Sequence, residues 1–210
     1  MRTFIILMTA LLAFGVTALM GFWLIPLLRK VKYGQTILDI GPIWHKNKQG
    51  TPTMGGFLFI AGVLVAVTVG YLVYMSAGGG ENEISPVFGT RLFAGVVMAL
   101  AFAFLGFVDD YIKVVKKRNL GLTAGQKMVM QILIAAIYLI ILYLAGDTST
   151  VLRIPFIGSL DLGLFYYPVA LFILIVGTVN AVNLTDGIDG LAGSVTFIAS
   201  LGFMIIAALL

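Results

Sequence analysis

The sequence contains no cysteine and very little charge. Without cysteine, the chain can form neither a disulfide framework nor a cysteine-ligated metal site. Charged residues make up 10% of the 210 residues, whereas soluble globular domains are about one quarter charged. Because 60% of the residues are hydrophobic, the composition excludes an ordinary soluble domain and indicates an integral membrane protein.

Histidine is almost as scarce as cysteine, with one residue in the chain. The single histidine, His45, cannot build a histidine-rich metal site, and we interpret it as a surface residue or a contact with lipid headgroups. The net charge of +4 does not call for a nucleic-acid partner, because the basic residues cluster in two loops, as expected for a membrane protein. We therefore predict no binding of nucleic acid.

Long apolar segments predict an all-α fold, a polytopic bundle of about six transmembrane helices. A bilayer core of about 30 Å needs roughly 20 helical residues. Six segments reach or approach this length: about 4–28, 53–75, 92–108, 127–145, 164–182 and 190–210. They are too uniformly apolar for the alternating strands of a membrane barrel. The third ends abruptly at Asp109-Asp110, and residues 151–162 predict a small extracytoplasmic β-hairpin.

The basic residues predict the orientation of the bundle. Loops 29–52 and 109–127 each carry five Lys or Arg, whereas the opposite side carries only Arg2, Arg91 and Arg153. Cytoplasmic loops carry an excess of Lys and Arg. The N-terminus is therefore predicted outside, and the acidic residues of 109–110 and 186–189 on the cytoplasmic side.

Two adjacent carboxylates, Asp109 and Asp110, follow the third apolar segment. Like charges about 4 Å apart repel by about 4 kcal/mol at an effective dielectric of about 20, and a cation removes that cost. Mg²⁺ prefers carboxylate oxygens and often bridges to substrate phosphates. The pair is therefore a candidate metal or catalytic site. The alternative is a solvated helix end near Lys113.

Lysines follow the acidic pair at helical spacing. Lys113 and Lys117 lie one turn apart and could face phosphates that approach the carboxylates. The basic run as a whole is also typical of a cytoplasmic loop. Both interpretations stay open for these lysines.

A second polar stretch, HKNKQGTPTMGG at 45–56, opens the second apolar segment. Glycine lets backbone approach a ligand closely, and helix N-termini attract anions. The stretch lacks the Walker A pattern. It indicates either a phosphate-binding loop or a plain cytoplasmic loop with a helix cap.

A third polar stretch, NAVNLTDGIDGLAG at 180–193, joins the last two apolar segments. Asn180 and Asn183 lie one helical turn apart, and Asp186 and Asp189 continue the three-residue spacing. Helix capping explains one acid and one glycine. It does not explain the whole set, which favours binding of a sugar, a base or a metal.

Four motifs, in this order and spacing, closely resemble the polyprenyl-phosphate N-acetylhexosamine-1-phosphate transferases: GTPTMGG (50–56), FVDDYIKV (107–114), GLTAGQK (121–127) and NAVNLTDGIDGLAG (180–193). The resemblance spans nearly the whole chain, and HKNKQGTPTMGG is typical of the muramoyl-pentapeptide branch. It implies an enzyme of peptidoglycan synthesis in the bacterial inner membrane. That enzyme moves phospho-MurNAc-pentapeptide from UDP-MurNAc-pentapeptide to undecaprenyl phosphate, giving lipid I and UMP with Mg²⁺. A homodimer is compatible with the resemblance.

The resemblance also implies roles for particular residues. Asp109 would activate the lipid phosphate, with Asp110 and Lys113 as further catalytic residues. Contacts to phosphates or to the cleft are implied for Lys48, Thr53, Lys117 and Lys127. The nucleotide region is implied for Asn180, Asn183, Asp186, Gly187 and Asp189, with Gly187 allowing close approach of uracil. The implied Mg²⁺ ligands are Asp109, Asp110, Asn183 and Asp186.

The chain departs from the family pattern in length. Members have about ten spans of roughly 20 residues each, so we expect the transmembrane domain 1–210 to be part of a longer protein. A further metal-binding Asp and a His-rich loop are expected beyond residue 210. We therefore expect residues 1–210 alone to be inactive.

Three other functions are considered. One is the N-acetylglucosamine branch of the same superfamily. The second is a transporter of a phosphorylated solute, although transporters favour charges near mid-membrane and these acids cluster at one interface. The third is a scaffold for cell-wall assembly, which would not depend on the carboxylate of Asp109.

Overall fold

The computed structural model describes residues 2–30, 54–79, 86–116, 120–154 and 158–209. Helices α1 to α4 span Arg2–Lys30, Phe57–Tyr74, Pro86–Val115 and Ala124–Leu144. Strands β1 and β2 follow at Val151–Ile154 and Gly158–Asp161. A composite helix then combines a 3₁₀ turn, Gly163–Phe165, the short α5, Tyr166–Pro168, a π-helical segment, Val169–Gly177, and α6, Thr178–Thr185. Helix α7 spans Leu191–Leu209.

Five helices in these ranges are long and apolar enough to cross a membrane. They cover Thr3–Lys30, Phe57–Gly78, Val87–Val115, Ala124–Leu144 and Gly163–Thr185. The last of these is called the fifth span below. Helix α7 is apolar over Leu191–Ile206 and lies within the sixth segment expected at 190–210. The predicted all-α, polytopic architecture is confirmed, and the chain is a multi-pass membrane protein.

Helix α3 is longer than the sequence predicts. The third segment was expected to end at Asp109-Asp110, but α3 continues through both residues to Val115, so this predicted boundary is wrong. Lys113 lies four residues after Asp109 and three after Asp110, and its ammonium group pairs with both carboxylates. Such i,i+3 and i,i+4 pairs stabilise a helix, which explains why the acidic pair does not end it.

The predicted β-hairpin is present. Strands β1 and β2 pair antiparallel, with Val151 opposite Asp161 and Ile154 opposite Gly158. The Asp161 carboxylate accepts hydrogen bonds from the Thr150 hydroxyl at 2.6 Å and from the Gly163 N–H at 3.0 Å. Through these two hydrogen bonds, the Asp161 carboxylate connects the base of the hairpin to the turn that begins the fifth span.

The chain divides into two compact units, and the first comprises Met1–Asn82 and Phe102–Ala124. Its helices α1 and α2 pack through small residues. Gly62, Ala66 and Gly70 are buried at four-residue intervals on α2. A Cβ atom at Gly62 would overlap the Thr17 hydroxyl and lie 2.8 Å from a carbonyl oxygen of α1. This close approach is the kind that small residues at every fourth position permit between membrane helices.

The second unit comprises Glu83–Ala101 and Gly125–Leu210. Ala135 on α4 is completely buried. Arg91 of α3 binds both carboxylate oxygens of Asp147, just after α4, at 2.6 Å each. Near the same end of α4, the rings of Tyr143 and Tyr167 lie 6.0 Å apart edge to face. These contacts join the start of α3, the end of α4 and the start of the fifth span.

Candidate functional site

The first polar cluster lies in the first unit, near the end of α3. It consists of Asp109, Asp110, Lys113, Gly121 and Leu122, and is called the Asp109 cluster. Asp109 is buried, with 8% of the residue exposed, whereas the side chains of Asp110 and Lys113 are each about one third exposed. A buried carboxylate requires charged or hydrogen-bonding partners, because desolvating it alone is very costly.

Lys113 supplies the positive charge for this pair. Its Nζ lies 2.8 Å from Asp109 Oδ2 and 3.0 Å from Asp110 Oδ1. One ammonium group therefore offsets the repulsion between two adjacent carboxylates. The sequence identified both carboxylates and this lysine as candidate catalytic residues, and the structure brings all three together.

The loop after α3 supplies the second contact to Asp109. The Leu122 N–H donates a hydrogen bond of 2.8 Å to Asp109 Oδ1. Gly121 packs so closely that a Cβ atom there would overlap that same oxygen and lie 2.6 Å from the Asp109 carbonyl oxygen. The two oxygens of the Asp109 carboxylate are thus held from different sides, one by the loop and one by Lys113.

Sequence reasoning did not single out Gly121 and Leu122 as part of the site. They lie in GLTAGQK, which was noted only as a family motif. The sequence signal for Gly121 was its position twelve residues after Asp109. That spacing brings the two residues together only because the loop after α3 folds back, which the sequence does not show. The Gly121 position requires glycine because of this close approach and not because of an unusual φ angle.

The start of α2 packs on α3 close to this cluster in sequence. Phe57 follows the glycine pair of GTPTMGG, and its ring packs edge to face on Phe107 with centroids 5.5 Å apart. Phe107 lies two residues before Asp109 on α3. Within the first unit, Asp109 therefore contacts the start of GLTAGQK, and the residue after GTPTMGG contacts α3 two residues before Asp109.

Of the predicted substrate-binding residues in this region, Lys48, Thr53 and Lys117 lie outside the residues that the structure describes. Just after Thr53, Met54 adopts a left-handed φ of 68°, which is uncommon for a residue other than glycine. It precedes the Gly55-Gly56 turn that leads into α2. The roles of the three outlying residues stay predictions.

The second polar cluster lies in the second unit, where a side chain of α6 contacts one of α4. It consists of Gln131, Asn180 and the Val176 carbonyl, and is called the amide cluster. The Asn180 Nδ2 group donates to Gln131 Oε1 at 2.7 Å and to the Val176 carbonyl at 2.8 Å. Gln131 is buried, with 6% exposed. Sequence reasoning missed Gln131, although a lone glutamine within an apolar span was the signal that could have revealed it.

Beyond Asn180, α6 ends in an exposed polar turn. Asn183 and Asp186 are exposed, and their side chains make no hydrogen bond or ion pair to any residue that the structure describes. Asp189 is exposed as well. The residues that the structure describes therefore leave these three side chains uncovered.

The glycines of this turn differ in what they do. Gly190 has a φ of 79°, a left-handed conformation that favours glycine, directly before α7. Gly187 has no such requirement, because a Cβ atom there would meet only ordinary contact at 3.5 Å. The predicted role of Gly187, close approach of a ligand, is compatible with this open surrounding.

Lys127 lies on α4, one turn before Gln131, and is half-buried. It belongs to the second unit, together with the amide cluster and the exposed turn. Because residues four apart share a helix face, Lys127 and Gln131 lie on the same face of α4. The predicted phosphate-binding lysine is therefore on the face that carries the contact with α6.

A metal site with three or more His, Cys, Asp or Glu side chains is absent from the described part of the chain. Mg²⁺, however, usually keeps several waters and is bound by one or two carboxylates together with substrate phosphates. Asp109 and Asp110 offer two carboxylates in one place, with Asp110 partly exposed. This donor set fits the predicted ion.

Comparison with known proteins supports the family resemblance. The family model described as glycosyl transferase family 4 matches residues 92–210. A signature described as phospho-N-acetylmuramoyl-pentapeptide-transferase signature 1 matches residues 48–60. The first match covers more than half of the chain, and it contains both acidic motifs.

Curated relatives carry the same enzyme name. The chain is 46% identical over 201 residues to the phospho-N-acetylmuramoyl-pentapeptide-transferase of Heliobacterium modesticaldum, covering 94% of this chain and 57% of that protein. It is 44% identical over 204 residues to the enzyme of the same name from Bacillus subtilis, covering 97% of this chain and 59% of that protein. The chain thus spans less than two thirds of the length of these relatives. On the evidence of the family model and the motifs together, the chain belongs to glycosyl transferase family 4.

Proposed function

We propose that the protein containing this chain transfers phospho-MurNAc-pentapeptide from UDP-MurNAc-pentapeptide to undecaprenyl phosphate. A phosphate oxygen of the lipid attacks the phosphorus linked to the sugar, the bond from that phosphorus to the oxygen bridging the diphosphate breaks, and UMP leaves. The products are lipid I and UMP. The observation that carries this proposal is the Asp109 cluster: a buried, doubly held carboxylate next to a lysine, in a membrane protein of this family.

The chemistry of the cluster suits phosphoryl transfer. Catalysis of such reactions depends mainly on positioning and on stabilising negative charge. Asp109 is held in a fixed orientation from which it can accept a hydrogen bond or a proton from the attacking phosphate. The ammonium group of Lys113 lies within 3.0 Å of both carboxylates, where it can offset charge on an incoming phosphate.

The remaining predicted residues have supporting roles. Bound Mg²⁺, held in part by Asp109 and Asp110, would neutralise charge on the diphosphate. The exposed side chains after α6, on Asn183, Asp186 and Asp189, would bind the nucleotide end of the donor, with Asn183 and Asp186 also offering oxygen ligands to the ion. Lys48, Thr53, Lys117 and Lys127 would contact phosphates.

The cellular setting follows from the same proposal. The enzyme would lie in the bacterial cytoplasmic membrane with its site facing the cytoplasm, where the uridine nucleotide substrate is soluble. The excess of Lys and Arg in the two stretches 29–52 and 109–127 supports this orientation. A homodimer stays an expectation from the resemblance.

The test is a transfer assay with the full-length protein in detergent micelles. Labelled UDP-MurNAc-pentapeptide and undecaprenyl phosphate should give labelled lipid and UMP, and a chelator of divalent cations should stop the reaction. Asp109→Asn should lower kcat by about 100-fold or more, because a positioned acid–base group contributes that much. The matched control is Asp161→Asn, which alters an exposed carboxylate of the β-hairpin and should leave kcat unchanged.

The donor specificity separates the two branches of the superfamily. The match of residues 48–60 to the muramoyl-pentapeptide signature favours the muramoyl donor. The full-length protein should therefore use UDP-MurNAc-pentapeptide and leave UDP-N-acetylglucosamine unreacted. If only UDP-N-acetylglucosamine serves as donor, the protein belongs to the N-acetylglucosamine branch. If neither donor reacts, the enzymatic proposal is refuted.

A further inference from the structure

Gln131 is a buried polar side chain within the apolar helix α4. Only 6% of the residue is exposed. An amide that lacks a hydrogen-bond partner in an apolar environment is strongly unfavourable. A glutamine at this position is therefore favourable only if its amide is bound, and in the second unit its partner is Asn180.

The hydrogen bonds determine how both amides are oriented. The Val176 carbonyl can only accept, so the Asn180 group that faces it at 2.8 Å must be the NH₂. The same NH₂ lies 2.7 Å from the Gln131 side chain, which must therefore present its oxygen. Both hydrogens of the Asn180 NH₂ are thus used within the protein, and none is left to donate to a ligand.

The amide cluster also sets the register between two helices. Helix α4 and the fifth span run antiparallel, because Tyr143 contacts Tyr167 near one end and Gln131 contacts Asn180 toward the other. Lys127 is one turn from Gln131 in the direction of the start of α4. Asn183 is one turn from Asn180 in the same spatial direction, since the helices are antiparallel.

The π-helical segment Val169–Gly177 directly precedes this contact. A π turn contains more residues than an α turn, so it changes the direction in which all later residues of the helix point. The Val176 carbonyl that binds Asn180 lies in this segment. The orientation of α6 and of its exposed turn therefore depends on the π-helical segment. The contact between Asn180 and Gln131 then holds α6 against α4 in that orientation.

We propose that Gln131 is a positioning residue for the nucleotide-binding end of α6. Through Asn180 it holds α6 at the register that brings Asn183 level with Lys127, so that both can contact the same uridine nucleotide. Asn180 then acts by orienting the helix, because its donors are already used. The inference rests on the proposed function only in that the nucleotide is taken to be a uridine nucleotide. It does not require that the protein turn over its substrates.

The test measures binding of UMP to the full-length protein, which requires no catalysis. Gln131→Met keeps the length of the side chain but removes the acceptor for Asn180, and the Kd for UMP should rise about tenfold. Gln131→Glu keeps a side-chain oxygen as acceptor for Asn180 but buries a carboxyl group, so its Kd should rise less than that of Gln131→Met. The matched control is Leu133→Met, which places the same methionine at an exposed position of α4 and should leave the Kd unchanged.

Three results would overturn the proposal. They are a wild-type Kd in Gln131→Met, equal weakening in Gln131→Met and Gln131→Glu, and no UMP binding by the wild-type protein. If Gln131→Met does not fold, Gln131→Asn carries the test, since its amide is one methylene shorter. A Kd raised at least threefold would support the proposal, and an unchanged one would refute it.

Steady-state kinetics then distinguish positioning from general damage. In Gln131→Met the KM for UDP-MurNAc-pentapeptide should rise about tenfold, while the KM for undecaprenyl phosphate stays unchanged. A purely structural defect would lower the active fraction and leave both KM values unaltered. Failure of the proposed function is recognised separately, because the wild-type protein would then show no transfer whatever its affinity for UMP.

Discussion

At the scale of single residues, the carboxylate of Asp109 depends on a neighbour without a side chain. Replacing Gly121 by Ala would place a Cβ atom on Asp109 Oδ1. We expect Gly121→Ala to push the carboxylate out of its position between Leu122 and Lys113. A displacement of about 1 Å in a catalytic group can cost about 100-fold in rate. The transfer assay should therefore show kcat lowered by up to about 100-fold.

The same motif provides the control for this substitution. Gly125 lies in the first turn of α4, and a Cβ atom there would meet nothing within 4 Å. Gly125→Ala should therefore leave the transfer rate unchanged, and alanine is also the better helix former. Equal activity of the two variants would show that the close approach of Gly121 to Asp109 is irrelevant to catalysis.

The sequence revealed the parts of the site that follow local spacing. Asp109, Asp110 and Lys113 lie on one helix, so the three- and four-residue intervals alone indicate that one lysine can reach both carboxylates. Gly121 and Gln131 act through tertiary contacts with residues that are distant in sequence. A single sequence contains no measure of those distances, which explains why both were missed.

At the scale of elements, the packing of α1 on α2 depends on Gly62. A Cβ atom there would overlap the Thr17 hydroxyl. Overpacking typically costs about 1–3 kcal/mol, which exceeds the gain of about 1 kcal/mol from replacing glycine by alanine in a helix. We expect Gly62→Ala to lower the midpoint of thermal unfolding in detergent, followed by circular dichroism.

Gly15 on α1 is the matched position. A Cβ atom at Gly15 would meet nothing within 4 Å, so Gly15→Ala should keep or raise the midpoint of unfolding. An unchanged midpoint in Gly62→Ala would show that α1 and α2 can separate without loss of stability, contrary to the tight contact between them.

The β-hairpin should respond to acid. The Thr150 hydroxyl, followed by the Gly163 N–H, hydrogen-bonds to the Asp161 carboxylate and holds the pKa of Asp161 below its ordinary value of 3.8. Because the folded-state pKa is lowered, the stabilisation is present above about pH 4 and disappears as the pH falls through the folded-state value. Hydrogen exchange of the hairpin amides should be constant from neutral pH to about pH 5, after correction for the intrinsic rate, and faster below about pH 4.

Thr150→Val provides the comparison for this titration. It removes the hydrogen bond that lowers this pKa most, so the pKa of Asp161 should move back toward its ordinary value. The loss of protection in acid should then be smaller and complete at a higher pH than in the wild-type protein. A hairpin whose protection does not change with pH in either protein would show that this carboxylate does not stabilise it.

The elements differ in how well the sequence predicts them. Helices that cross the membrane are revealed by length and apolar composition, and the hairpin is revealed by β-branched residues around a turn. The boundary at Asp109-Asp110 was predicted wrongly because two adjacent carboxylates were expected to end the helix, whereas their ion pairs with Lys113 stabilise it. The π-helical segment Val169–Gly177 has no sequence signature comparable to these, since its uniformly apolar residues fit an α-helix equally well.

At the scale of the whole molecule, the distribution of basic residues predicts its orientation in the membrane. Residues 1–210 contain no cysteine, so a single cysteine introduced among them is the only one in this stretch, and the unsubstituted protein gives the background labelling. With a maleimide that cannot cross the membrane, Ser149→Cys should react in intact cells. Lys116→Cys should react only after the membrane is opened, because positive loops face the cytoplasm. The reverse labelling pattern would overturn the predicted orientation and the cytoplasmic site.

The hydrogen bond from Leu122 to Asp109 comes from the main chain. Any amino acid at position 122 can supply that donor, with the single exception of proline, which has no N–H. Substitutions at position 122 other than proline therefore keep the hydrogen bond to the Asp109 carboxylate. An inhibitor that binds the Asp109 carboxylate would therefore meet it in the same orientation in most variants at position 122. Resistance through substitution of that residue is not expected.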